Sequence, residues 1–247
     1  ADVYVINTCT VTNMSDRKSR QMISRARRDN PDAVVAVMGC YSQVKPEEVA
    51  AIEGVDIVLG SRNKENVVEL CQDILENKNV SDKIIAPSET KSFEELQISN
   101  QSEMTRAYIK VQDGCNMYCS YCLIPYARGN IVSRSIDSIV DESKRLADNG
   151  FKEIVLTGIH VSSFGKDFGD GSSLIDVIEA VASVDGIKRI RLSSMEPRHI
   201  TRDFLERMKA TGKACDHFHL SLQSGSDDIL KAMNRKYDTA IFKEKLD

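Results

Sequence analysis

Short β-branched runs, each followed by a stretch of helix length, recur from one end of this chain to the other, and that alternation restricts the fold more than any other feature. The runs DVYVIN (2–7), AVVAVMG (33–39) and DIVLG (56–60) are almost continuously apolar, as strands covered on both faces are. A helix is expected after each: one from Ser15 to Asp29, stopped by Asn30-Pro31; one over Lys45 to Glu53; and one with Val67, Cys71, Ile74 and Leu75 on a single stripe. Such alternation predicts right-handed crossovers, so residues 1–78 are expected to form a parallel, three-layer αβα domain.

The pattern lapses over 79–104, a polar stretch containing Pro87 that reads as a linker with one short ordered piece. It resumes at RAYIKVQD. Within 105–247 the expected strands are 107–112, 152–157, 188–193 and 217–222. Helices capped by Ser135, Ser173 and Thr201 fill the gaps and end near Asn149-Gly150, Asp185-Gly186 and Thr211-Gly212. These βα units, cut off in a fifth, predict an incomplete, TIM-like βα barrel. The chain opens inside a strand-like run and stops in a helical pattern at FKEKLD, so it is read as missing residues at both ends, the barrel being C-terminally truncated.

Composition narrows the setting. With 247 residues, 41% hydrophobic and 28% charged, the chain has ordinary globular composition. It holds neither an apolar run of about 18 residues nor a basic-then-apolar leader, so a soluble cytoplasmic protein without a membrane partner is expected. Seven unevenly clustered cysteines do not resemble a disulfide framework and fit a reducing compartment. The net charge of -4 argues against a general polyanion binder, and no DNA partner is expected.

The chemistry concentrates in DGCNMYCSYCLIPYARG, residues 113–129, where Cys115, Cys119 and Cys122 fall within eight positions. Soft thiolates this close select zinc or an iron-sulfur cluster. A structural zinc wants four ligands, usually as two short-spaced pairs, and the next cysteine is Cys215. Three thiolates on a cubane 4Fe-4S cluster leave one iron open for a substrate or cofactor. Cys115 directly follows the first strand of the second block, hence the carboxyl-terminal mouth of the barrel, where such folds build their sites. A zinc knuckle or a non-catalytic iron-sulfur relay remains an alternative for the same three residues.

GCNMYCSYCLIPYARG resembles the signature of radical S-adenosylmethionine (SAM) enzymes, and its flanks resemble the methylthiotransferases among them. Those flanks are NTCTVTNMSDRKSRQ (7–21), MGCYSQ (38–43), VLGSRNK (58–64), IVLTGIHVSSFG (154–165), RLSSMEP (191–197) and LQSGSDDILKAMNRKY (222–237). The resemblance implies a radical SAM barrel in which Cys115, Cys119 and Cys122 ligate a 4Fe-4S cluster. The open iron takes the amino and carboxylate groups of SAM, and a 5'-deoxyadenosyl radical results. By the same resemblance Tyr121 lies near the adenine, the alternative being a packing aromatic. TGIH offers backbone to the methionine amino group, with Gly158 permitting close approach unless it merely ends a strand. Ser194, Glu196, Gln223 and Ser224 reach SAM, or else serve only as loop or capping residues.

The resemblance further implies a second, auxiliary 4Fe-4S cluster on Cys9, Cys40 and a ligand upstream of Ala1. Parallel strands present Cys9 and Cys40 on one edge of the sheet. Cys71 and Cys215 read as packing thiols. A flavodoxin- or ferredoxin-type reductant is implied as partner. The substrate branch most resembled modifies the tRNA anticodon loop, replacing the C2 hydrogen of N6-threonylcarbamoyladenosine at position 37 by a methylthio group. The branch that modifies a ribosomal-protein aspartate is the alternative. Independently, Arg17, Lys18, Arg20, Arg25, Arg27 and Arg28 crowd one helix as a phosphate-holding field or a solvated face, and Arg128 and Arg134 extend the track. The small RNA-binding β-barrel that ends such enzymes is absent from this sequence. His217 and His219 are expected on one face of the last strand.

Overall fold

A computed structural model describes residues 1–10, 12–62, 64–76, 92–95 and 105–246. Its contacts divide the chain into two units, residues 1–94 with 122–129, and residues 95–121 with 130–247. Most of the expected linker lies outside the described residues.

The first unit is built on strands β1 (Val3–Thr8), β2 (Val34–Gly39) and β3 (Ile57–Val58), all parallel, in the order β1-β2-β3. Successive side chains of β2 face opposite ways. Val35 and Val37 pack with Ile23, Tyr41, Val49 and Val58, whereas Val34 and Ala36 pack with Ile57, Leu59, Val67 and Leu70. Each face of the sheet is therefore covered, which explains the near-continuous apolar runs.

Helix α1 (Asn13–Asp29) begins two residues earlier than expected, because Thr12 caps it, its hydroxyl accepting from Ser15 N at 3.2 Å. It buries Asp16, Ser19, Ile23 and Ala26 at helical spacing. The helix expected over Lys45 to Glu53 forms only as the short α3 (Pro46–Ala50), and a further short helix that was not expected, α2 (Cys40–Val44), precedes it. Lys45 is held out of helical geometry by the proline after it, so the chain breaks there and restarts with Pro46 in the first turn. On α4 (Val67–Leu75) the buried residues are Val67, Leu70 and Cys71; Leu75, expected on that stripe, is exposed. Helix α5 (Ile124–Arg128) belongs to this unit, where Ser61 Oγ donates to Ala127 O at 2.6 Å and Arg62 Nη2 to Arg128 O at 2.6 Å.

The second unit has β4 (Ala107–Asp113), β5 (Val132–Ser133), β6 (Glu153–Gly158) and β7 (Arg189–Leu192), in the order β5-β4-β6-β7. The β4-β6 and β6-β7 pairs are parallel, and the two-residue β5, which sequence did not foretell, is antiparallel to β4. Helices α6 (Ile136–Asp148), α7 (Leu174–Ala182) and α8 (Arg202–Ala210) start at Ser135, Ser173 and Thr201, as their capping residues predict. Ile109, Ile139, Leu156, Ile178 and Ile190 lie in the shared core. The fourth expected strand, 217–222, does not form; the segment after β7 makes only the isolated parallel bridges Ile190–Ala214 and Met195–Leu220. Among the described residues no further strand pairs its outer edge, and His217 and His219 are exposed rather than aligned on a strand face. Two short helices follow, α9 (Asp227–Ala232) and α10 (Thr239–Glu244).

Candidate metal centre

The three-cysteine loop leaves β4 through a tightly bonded corner. Gln112 is fully buried; its Nε2 donates to Asp113 O at 2.6 Å and to Gly114 O at 2.7 Å, while its Oε1 accepts from His160 N at 2.8 Å. Asp113 accepts from Gly114 N at 2.8 Å and from Lys110 Nζ at 2.5 Å. Gly114, at φ +71°, makes the turn that a side chain would disfavour. Beyond it Cys115 and Cys119 are buried, and Cys122, the first residue of the 122–129 segment, is half-buried.

A second segment holds the loop. Tyr118 sits at φ +48°, a left-handed conformation costly for an aromatic residue, and its carbonyl accepts from Asn234 Nδ2 at 2.8 Å. Ser120 N donates to Met233 O at 3.2 Å. Arg235 Nη1 donates to Cys119 Sγ at 3.2 Å. Arg235 Nε donates to the Tyr237 hydroxyl at 3.2 Å, with the guanidinium 5.3 Å from that ring's centroid, and Tyr237 is anchored to Ser221 O.

Among the described residues no three His, Cys, Asp or Glu side chains stand together, as placed, as a metal-binding group. The donor set nonetheless fits an iron-sulfur cluster: three soft thiols on a loop without helix or strand, two of them buried, and one already receiving a hydrogen bond from a cation.

The residues expected to contact SAM are placed unevenly. Tyr121 is 55% exposed. Gly158 is approached by protein: a Cβ there would stand 2.8 Å from Gln112 O and 3.0 Å from its Oε1, which supports the strand-packing alternative. Ser194 is exposed, its hydroxyl 3.2 Å from His219 Nδ1. Gln223, at φ +67°, is exposed, and Ser224 Oγ accepts from Ser226 N at 3.2 Å.

Glu196 is only 3% exposed and ion-paired to Arg198. Its Oε2 lies 3.4 Å from His160 Nε2, too poorly aligned for either buried atom to gain a hydrogen bond. Burial alone would raise the Glu196 carboxyl; the His160 ring and the Arg198 guanidinium outweigh it and bring the carboxyl down to about 2. His199, edge-on to His160 at 6.0 Å, is lowered to about 4 by burial and by the Lys166 charge.

In the first unit Thr8 pairs with Gly39, so Cys9 and Cys40, the next residue of each strand, leave the same edge of the sheet. Cys9 is exposed and Cys40 buried. Gly39, at φ +112°, is obligatory: a Cβ would stand 2.4 Å from Thr8 O. Cys71 is buried on α4, and burial raises its thiol and that of Cys215, as packing thiols do.

The basic track is smaller than the sequence suggests. Arg20 is drawn to the Tyr41 hydroxyl at 2.9 Å and to Glu48, and Arg27 donates to Gly54 O at 2.7 Å and Asp56 at 2.7 Å. Arg17, Lys18, Arg25 and Arg28 stay on the exposed face of α1. Arg134 is buried against Glu142 and Glu95, so it extends no surface track. Arg235, Asn234 and Gln112 were not foretold as site residues. The only sequence signal for the first two is their place in the family-like run LQSGSDDILKAMNRKY.

A family model described as Radical SAM superfamily matches residues 109–247, and one described as Uncharacterized protein family UPF0004 matches residues 1–60. The chain belongs to the radical SAM superfamily. It is 43% identical, over 100% of its length and 54% of the relative's, to the threonylcarbamoyladenosine tRNA methylthiotransferase MtaB of Bacillus subtilis. It is 42% identical to that of Aquifex aeolicus, over 99% of this chain and 59% of the relative. A tRNA-2-methylthio-N(6)-dimethylallyladenosine synthase from Pelotomaculum thermopropionicum is 36% identical, over 96% of this chain and 54% of that one. The chain thus spans little more than half the length of these relatives. Among solved structures, the radical SAM methyltransferase TsrM from Kitasatospora setae with tryptophan substrate and a SAM analog superposes with a TM-score of 0.71 at 17% identity, covering 99% of this chain and 53% of that one. The α/β architecture read from the alternation stands, and so does the radical SAM domain implied by the resemblance.

Proposed function

We propose that this chain is the catalytic portion of a tRNA methylthiotransferase that converts N6-threonylcarbamoyladenosine at position 37 to its 2-methylthio derivative. The observation that carries the reading is 43% identity over the whole chain to a threonylcarbamoyladenosine tRNA methylthiotransferase, against 36% to the dimethylallyladenosine synthase. In this reading Cys115, Cys119 and Cys122 hold the radical-generating 4Fe-4S cluster. Cys9 and Cys40 contribute to an auxiliary cluster on the αβα domain. Held by Cys115, Cys119 and Cys122, a cluster with SAM would supply the one-electron chemistry needed to remove hydrogen from an unactivated carbon.

The chain's own part is positioning. Gln112 and Asp113 fix where the loop leaves β4, and Asn234 holds its strained turn. Glu196, ionised at neutral pH and paired with Arg198, stays an acceptor and carries no proton to SAM or substrate. Tyr121, exposed, is the aromatic offered to adenine. Gln223 and Ser224, at the carboxyl end of the barrel segment, are the remaining SAM contacts in this reading, with Ser194 and the Gly158 backbone. A single-stranded anticodon-loop base suits the site because it enters a pocket without melting a duplex. A low-potential flavodoxin- or ferredoxin-type donor supplies the electron. The setting is cytoplasmic, and among the described residues no helix is long and apolar enough to cross a membrane.

Mass spectrometry of tRNA nucleosides from a strain lacking the gene tests the reading. Loss of methylthio-threonylcarbamoyladenosine, with its unmodified precursor accumulating, is expected. An unchanged methylthio nucleoside overturns it.

A further inference from the structure

Arg235 donates to a motif thiol, and its neighbourhood explains why it sits there. Helix α9 ends in a Schellman motif: Arg235 N donates to Leu230 O at 2.9 Å and Asn234 N to Lys231 O at 3.0 Å. The left-handed position of that motif is usually glycine, but here it is Asn234, at φ +57°. An asparagine tolerates the conformation and adds an amide, which reaches Tyr118 O. The helix end and the cysteine loop are thereby tied together, and the residue after Asn234 is delivered to Cys119.

The guanidinium so delivered is half-buried and has no carboxylate partner among the described residues. Its polar contacts are the Tyr237 hydroxyl and Cys119 Sγ, with the Tyr237 ring beneath it. A partly desolvated cation is ordinarily matched by an anion. Cys119 becomes such an anion when it ligates a metal.

We propose that Arg235 is a positioning residue that sets the redox poise of a cluster on this loop, its fixed charge and hydrogen bond to Cys119 making that cluster easier to reduce. The inference rests on the functional reading above. A cluster that has accepted one electron carries one more negative charge, so a nearby cation and an N–H donor to a ligand sulfur favour the reduced form. Arginine suits the task because it is charged at every accessible pH and its planar fork serves the phenol and the sulfur together.

The test compares the wild-type chain with Arg235→Gln and Arg235→Lys. Each is reconstituted anaerobically with iron and sulfide, counted for iron, and titrated with dithionite while the SAM-responsive paramagnetic signal is followed. Expected is a midpoint displaced to more negative potential in Arg235→Gln, with Arg235→Lys between it and the wild type. An unchanged midpoint in an iron-replete Arg235→Gln overturns the proposal and leaves Arg235 a structural clamp. Should Arg235→Gln hold no iron, Tyr237→Phe decides, since it keeps the charge but removes the acceptor that orients it. A more negative midpoint there supports the proposal, and one equal to wild type overturns it. A wild-type chain with no SAM-responsive signal overturns instead the functional reading beneath it.

Discussion

His199 follows β7 in a short 3-10 turn, half-buried edge-on to His160 and facing the Lys166 charge, with Arg198 before it and Glu196 three residues back. Its imidazole titrates at about 4 in the folded chain, against 6.5 for an unhindered ring. Between those values the unfolded chain takes up the proton and the folded chain does not, so stability is fully present above 6.5 and is lost as pH falls toward 4. The loss is roughly 2 kcal/mol once partial exposure is allowed for. Glu196 adds a second step of the same sign: its depressed carboxyl contributes stability above 4.5 that is lost as pH falls toward about 2. Urea unfolding of the second unit between pH 7 and 4 should show the upper step, and His199→Asn should flatten it. An equal slope in the variant would contradict the account. Cys115, Cys119 and Cys122 stand out as candidates in the sequence because their spacing is local. The pairing of Cys119 with Arg235 is not legible there, since residues far apart in sequence meet only through the end of α9.

Helix α1 shows how an element divides its charges. Its inner face buries Ile23 and Ala26, and the flanking Arg20 and Arg27 are tied to Tyr41, Glu48, Gly54 and Asp56. Arg17, Lys18, Arg25 and Arg28 are exposed, the last two pairing only with the exposed Asp29 among the described residues, and Met14 and Met22 are exposed as well. A triple reversal, Arg17→Glu, Lys18→Glu and Arg25→Glu, is expected to weaken binding of an anticodon stem-loop RNA and lower the salt dependence by about 0.7–0.9 in log-log slope per lost phosphate contact, with unfolding unchanged. Arg27→Ala should do the reverse, costing about 2 kcal/mol of stability with RNA affinity intact, because it strips partners from Gly54 O and Asp56. Equal effects of both variants on RNA affinity, read by fluorescence anisotropy, would contradict this division. The helix itself was legible from period and caps. The division was not, because spacing along α1 does not reveal which arginines meet acceptors from α2, α3 and the loop before β3.

Across the molecule, alternation made the parallel strands and their helices readable, since doubly covered strands need long apolar runs. The two-residue β5 and the missing strand at 217–222 escaped it because pairing depends on neighbours rather than on local composition. The proposed function rests on three thiols holding a cubane with an iron left open. Paramagnetic resonance of the anaerobically reconstituted, reduced chain, recorded before and after SAM is added, tests this most directly. The account predicts a cubane signal that changes shape with SAM and disappears in Cys115→Ala, Cys119→Ala and Cys122→Ala. A signal indifferent to SAM, or zinc bound tetrahedrally through the same cysteines, would contradict it.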